Sequence, residues 1–250
     1  MRSVKTSVDG IVIWQSKTGE ADRVITLLTE NGLITAYARS SLRPKNKLTS
    51  PTSMLSFSNF ELRSGKNMYS VEDALIKERF IQLNTDIARY SAAVYFCELL
   101  KQVAPIDDDA SAFMSLLLNS LYLLNEGIKN ILLVKSVFEL RAMSLSGYMP
   151  DLEVCASCGR EESERLFFDI LNGVWYCESC ARNGVKPMNC TGVVLRALRH
   201  IIYADKGKAF SFEISDAGLN QLSMLASNFV TSHLERSLTT REFLNSILES

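Results

Sequence analysis

Residues 155–180 read CASCGREESERLFFDILNGVWYCESC, a Cys-x2-Cys pair that recurs after eighteen residues. This spacing is that of a four-cysteine zinc site, and it restricts how the surrounding chain can fold. Each pair forms a tight knuckle turning two sulfurs toward one ion, so the interval must double back. The intervening LFFDILNGVWYC reads as a hairpin turning at Asn172-Gly173, which supplies that return. Thiolates from Cys155, Cys158, Cys177 and Cys180 fill the tetrahedral shell of Zn²⁺ and leave no position for water. The pattern implies one structural Zn²⁺ per chain, contributing folding energy rather than hydrolysis. The remaining cysteines stand apart. Cys97 lies on an apolar helical stripe as a small buried hydrophobe, and Cys190 follows Cys180 by ten residues, beyond the knuckle.

Reading the cysteines as ligands rather than disulfides requires a reducing compartment. MRSVKTSVDG lacks the apolar region of a signal peptide. The longest apolar candidate, FMSLLLNSLYLL, carries Asn119 and two serines and falls short of the roughly 18 residues that span a bilayer. The expected location is therefore the cytoplasm, with no membrane partner. At 250 residues, 47% hydrophobic and 22% charged, the chain belongs with globular proteins of one or two domains.

The first eighty residues read as β. GIVIW is a short apolar run, and RVITLLTENGLITAYARS carries two β-rich runs around Asn31-Gly32, a dipeptide suited to a type I′ hairpin. Ile34, Ala36 and Ala38 alternate with Thr35, Tyr37 and Arg39 as a buried and an open face would. MLSFSNFELRSGKNMYSVEDALI predicts a second hairpin turning at residues 64–67. Between them SSLRPKNKLTSP is polar and basic, held open by Pro44 and Pro51. About five short strands with one long basic connection predict a small closed barrel, since closure removes exposed edges, with an OB-type barrel as the first reading and an SH3-like barrel as the alternative.

Beyond residue 80 the period becomes helical. TDIARYSAAVYFCELLKQV places Ile87, Tyr90, Val94 and Cys97 on a stripe ending at Lys101, with Thr85 or Asn84 as N-cap. KNILLVKSVFELRAMSLSGY is apolar on more than one face and reads as a buried central helix. Three further helices follow the cysteines. The expected class is α+β: an OB-fold domain over 1–80, then a helical domain over 81–250 carrying a zinc-binding insertion at about 150–187.

The net charge of −1 hides an asymmetry: residues 1–80 carry twelve Lys/Arg against eight Asp/Glu. Arg39, Arg43, Lys45 and Lys47 fall within nine residues of the long connection, where OB barrels bind oligonucleotides. Trp14 and Tyr37 offer faces on which bases stack. Catalytic constellations are missing. No phosphate-binding glycine loop or nucleophile elbow occurs, and His200 and His233 lie on helices far from obvious partners. Asp107, Asp108 and Asp109 read as a helix cap rather than a Mg²⁺ site. The chain is expected not to be an enzyme.

Taken together, the order of these features resembles the RecO family of bacterial recombination mediators, nearly end to end. The resemblance rests on GIVIWQSKTGEADRVITLLTENGLITAYARS, with Gly19, Glu20, Asp22 and Arg23, and on KSVFELRAMSLSGYMPDLEVCASCG, completed by Cys177 and Cys180. It departs where Ser40, Ser41 and Leu42 stand in place of the glycine and further cation common after Ala38-Arg39. The resemblance implies binding of single- and double-stranded DNA, with Arg23, Arg39, Arg43, Lys45 and Lys47 as contacts. It also implies strand annealing, and a partnership with RecR and the acidic C-terminal tail of SSB in loading RecA. Lys135 and Arg141 are the candidate cations for that tail. The competing reading is a zinc-ribbon accessory factor of transcription or translation. GREESERLFFD, rich in glutamate, argues against it.

Overall fold

The first five strands are β1 (Lys5–Thr18), β2 (Asp22–Thr29), β3 (Gly32–Ala38), β4 (Ser56–Arg63) and β5 (Tyr69–Arg79). They pair in the order β1-β2-β3-β5-β4, and β4 returns to β1, closing the barrel. Among the described residues, only the β3–β5 contact of the barrel is parallel. This is the predicted OB-type barrel, and it leaves no open edge. Inside lie Val12, Ile25, Leu27, Ala36, Ala38, Phe60, Leu62 and Val71, with Leu48 entering from the long connection. This computed structural model describes residues 5–66, 68–181, 188–205 and 207–248. Residues 1–4 of the N-terminal segment, residue 67 of the second predicted turn and residues 182–187 of the predicted insertion lie outside the described residues.

Local chemistry differs from expectation at three places. Thr29 pairs with Gly32, so the first hairpin turns at Glu30-Asn31 rather than Asn31-Gly32. Gly32 has φ +98°, and a Cβ there would meet the Asp107 nitrogen at 2.8 Å and the Pro105 carbonyl oxygen at 2.9 Å. It is a close-approach glycine. The segment 105–110 docks onto it through Leu33 N–H to Pro105 O (3.0 Å) and Ala110 N–H to Glu30 O (2.8 Å).

Helix α1 (Ile87–Val103) is capped by Asp86, whose side chain accepts from the N–H groups of Ala88 and Arg89, not by Thr85 or Asn84. Its buried face is Ala92, Ala93, Tyr95, Phe96, Cys97, Leu99 and Leu100, whereas Ile87 and Tyr90 of the predicted stripe remain exposed. Both faces of this helix are apolar, so periodicity alone does not choose between them.

The chain divides into two compact units, Met1–Glu126 with Leu238–Ser250, and Gly127–Ser237. The first joins the barrel to α1, α2 (Ser111–Glu126) and α6 (Thr239–Leu248). As expected, Asp109 sits at the start of α2 and accepts from Ser111 N–H at 2.9 Å. The change of period at residue 80 thus marks a change of secondary structure, while the compact units divide at 126 and 237.

The second unit is built on α3 (Ile131–Leu145), the predicted buried helix, packed with α4 (Gly192–Tyr203) and α5 (Asp216–His233). It carries a small sheet in the order β7-β6-β8: β6 (Arg165–Asp169), β7 (Val174–Cys177) and β8 (Met188–Thr191). The β6–β7 hairpin returns as predicted. Gly173 has φ +65°, and Asp169 accepts from Leu171 N–H, Asn172 N–H and the Asn172 side chain. The third strand, β8, has no counterpart in the sequence reading.

Candidate nucleic-acid interface and metal centre

The connection between β3 and β4 is not an open loop. It winds through successive turns, closed by Arg43 N–H to Ser40 O, Thr49 N–H to Asn46 O and Thr52 N–H to Leu48 O, at 3.0–3.1 Å. Its ends are tied to the barrel by Leu42 N–H to Ala21 O (2.8 Å) and Leu55 N–H to Val12 O (2.9 Å). Leu48 and Leu55 are buried, so the segment carries an apolar underside that a solvated loop lacks.

The Gly-Glu-x-Asp-Arg stretch holds it there. Asp22 accepts from the Ser40 N–H and the Tyr37 hydroxyl, fixing the start of the connection. These two bonds, with Arg39 and Arg43 nearby, keep the Asp22 carboxyl below the usual carboxylate range despite partial desolvation. Arg23 fixes the far part, donating to Thr49 O (2.8 Å) and Thr52 Oγ1 (3.1 Å). Burial pushes its guanidinium pKa down. Both partners are protein oxygens, so through this nitrogen Arg23 positions the connection.

Arg39, Arg43, Lys45 and Lys47 are all exposed on this scaffold. Lys47 makes an ion pair with Asp73 at 2.9 Å, both half-exposed, an interaction that water and salt screen. The segment thus presents a cluster of cations on an ordered backbone instead of a flexible one.

The two cations expected at an SSB groove are placed otherwise. Lys135 is 1% exposed and forms an ion pair with Glu139 one helical turn away (3.0 Å), both bonded to Ser227 of α5. A buried ammonium needs this compensation and has no route to a groove rim. Arg141 is part-buried and donates to the carbonyls of Ile201 (3.3 Å) and Ile202 (2.8 Å). Those carbonyls lie in the last turn of α4, where intrahelical partners run out. Burial lowers the Arg141 pKa as well. Both are internal fasteners of the second unit.

The four predicted metal ligands do converge. One sulfur from each of Cys155, Cys158, Cys177 and Cys180 lies within 4.8 Å of the others. The knuckles are closed by Gly159 N–H to Cys155 O and Cys180 N–H to Cys177 O, each 2.9 Å. Cys177 N–H points at the Cys155 sulfur (3.3 Å). Burial raises the Cys155 pKa, but backbone N–H groups of Cys177, Ser157 and Cys158 outweigh it and bring the thiol down to about 6. Cys180, beside the sulfurs of Cys158 and Cys177, is pushed up to about 12. Four sulfurs converging on one point are a donor set that fits a metal ion bound by all four as thiolates.

Around the cluster, Trp175 Nε1–H donates to Leu152 O, and Arg199 donates to the carbonyls of Leu152, Glu153 and Glu161. Cys190 lies on β8 opposite Leu166, outside the cluster, with its thiol pushed up to about 12 by burial. Cys97 is buried in α1, and burial raises its thiol too.

Residues 1–80 match the family described as Recombination protein O N terminal, and residues 84–242 match Recombination protein O C terminal. The chain belongs to the RecO family. The DNA repair protein RecO of Acetivibrio thermocellus is 33% identical over 248 residues, 99% of this chain and 98% of that protein. RecO of Symbiobacterium thermophilum is 30% identical over 246 residues, covering 96% and 97%. RecO of Dehalococcoides mccartyi is 30% identical over 193 residues, covering 76% of each. As a RecO-family member the chain is a protein of DNA repair and recombination. Among its described residues no helix is long and apolar enough to cross a membrane.

Proposed function

We propose that this RecO-family chain is a recombination mediator that works by binding rather than by turnover. It binds single- and double-stranded DNA, anneals complementary strands, and with RecR helps load RecA onto single strands coated with SSB. The observation carrying this reading is the cluster Arg39, Arg43, Lys45 and Lys47, exposed on an ordered connection of a closed OB-type barrel. Annealing brings two polyanions together, and a cationic surface lowers that repulsion without reading bases. Binding is then tolerant of sequence and sensitive to salt. With three or four phosphates neutralised, the single-strand log–log salt slope is about −2 to −3.

The metal in the cysteine cluster is Zn²⁺, held as a structural ion. Lys135, at 1% exposure, is not within reach of the acidic tail of SSB. The protein acts in the cytoplasm, on the nucleoid. The accessory-factor reading is disfavoured because Glu161, Glu162, Glu164 and Glu178 are exposed on the cysteine module and repel phosphate.

The test is annealing of complementary oligonucleotides already coated with the cognate SSB, with no nucleotide added. Acceleration by this protein is expected; none, with RecR also present, refutes the mediator reading. Arg43→Ala with Lys45→Ala should leave the melting temperature unchanged and make the salt slope shallower by about 1.4. An unchanged slope would move the DNA site away from this connection.

A further inference from the structure

The barrel holds an aromatic side chain that its core does not use. Strand β1 carries a bulge between Val12 and Trp14, where one extra residue opposes β2. Bulges re-aim side chains. Here Ile13 is fully buried, while Trp14 is left 43% exposed. The ladders place Trp14, Thr26 and Thr35 in one row across β1, β2 and β3, and Ser16, Val24 and Tyr37 in the next. Apart from Trp14 itself, these side chains are small, or uncharged and polar, and none carries a charge. Over the indole stands Lys101, from the last turn of α1, with Nζ 3.8 Å from the ring centre. That is a cation–π contact with an ammonium that is itself exposed.

Charge is distributed unevenly about these rows. Arg39 and Arg43 lie past Tyr37, at the end of β3 where the connection begins. At the opposite end, Glu30 and the exposed Asp107, Asp108 and Asp109 gather around the β2–β3 turn. A polyanion entering at the cations is repelled from running along the strands toward that turn and is left to cross them. Crossing from Tyr37 on β3 to Trp14 on β1 is about 12 Å by strand spacing and rise, a few nucleotides of single strand.

We propose, resting on the DNA-binding reading above, that Trp14 is a stacking platform for an unpaired base of single-stranded DNA. Lys101 is its movable cover. On binding, the ammonium leaves the indole for a neighbouring phosphate, and a base takes its place. A duplex keeps its bases stacked within the helix and does not engage the platform, so this site favours single strands.

The chain has two tryptophans, and the other, Trp175, is fully buried, so exposed-indole fluorescence reports on Trp14. Intact protein titrated with an oligothymidylate should show quenching that an equal length of blunt duplex does not produce. Trp14→Phe keeps a stacking face; it should bind the oligothymidylate nearly as well as the wild type but lose the quench. Trp14→Ala should lose roughly tenfold in affinity with an unchanged salt slope, the mark of stacking rather than charge. Lys101→Ala should make the slope shallower by about 0.7, one phosphate contact. Oligothymidylate that binds tightly yet leaves the fluorescence unmoved, or Trp14→Ala at wild-type affinity, would overturn the platform while leaving DNA binding by the connection standing. An unchanged slope in Lys101→Ala would remove the cover from the proposal. Absence of any single-strand binding by the wild type would sink the DNA-binding reading and this proposal with it.

Discussion

The barrel spreads its core over five strands and nine buried residues and closes its hydrogen bonds on itself. The cysteine sheet has three strands of four or five residues, few buried apolar side chains, and four sulfurs gathered at one end of its hairpin. So small a sheet is marginal by itself, and a metal ion held by the four converging sulfurs would replace the area it lacks. In the first region stability is distributed, so no single side chain decides whether it folds. In the second it is concentrated in a few residues. The helices beneath that sheet follow the same habit, fastening α3 to its neighbours through one buried ion pair and one guanidinium at a helix end.

The largest effect should come from removing a ligand. Cys177→Ser should lower both metal content and stability, and chelation, which removes a binding free energy on the order of 10 kcal/mol, should unfold the module. Metal content and amide exchange should both register it, with protection in the barrel strands kept; a variant with full metal and an unchanged melting curve would erase the contrast. Next, Lys135→Ala strands the Glu139 carboxylate in the interior and should cost about 3–5 kcal/mol in denaturant unfolding. The double change Lys135→Met with Glu139→Leu should recover most of it, since the pair then disappears together.

In the barrel, Gly32→Ala forces a left-handed φ and a backbone clash at 2.8 Å, and should cost about 2–3 kcal/mol. A neutral outcome would mean the 105–110 segment moves freely off the hairpin. Smallest is a pH effect at Asp22. Its folded pKa is depressed, so its hold on Ser40 and Tyr37 is complete above the ordinary carboxylate range and lost as pH falls through the depressed value. An NMR titration of the carboxyl should place its midpoint below that of a free aspartate; a midpoint at the ordinary value would show that the clamp is not formed in solution.

Much of this was legible from spacing. The cysteine pairs, the Asn172-Gly173 return, the alternation at Ile34, Ala36 and Ala38, and the buried character of α3 are local patterns, and local geometry enforces them. The errors share a cause as well. Asn-Gly suits a hairpin, yet what requires glycine at Gly32 is a segment more than seventy residues onward. Arg23, Lys135 and Arg141 look like exposed cations in the sequence because a charge usually is exposed. Each has instead found oxygen acceptors that only folding supplies: Thr49 and Thr52, Glu139 and Ser227, Ile201 and Ile202.

The sequence by itself determined the class of fold, the place and donor set of the four-cysteine cluster, and the position of the cationic connection. These depend on residue type at short range: two sulfurs per knuckle, alternation along a strand, four cations in nine residues. Tertiary structure alone decided which cations stay in water, which face of α1 is buried, and that a bulge on β1 turns Trp14 outward beneath Lys101. Those outcomes depend on partners brought from far along the chain, and burial is a property of the surroundings rather than of the residue.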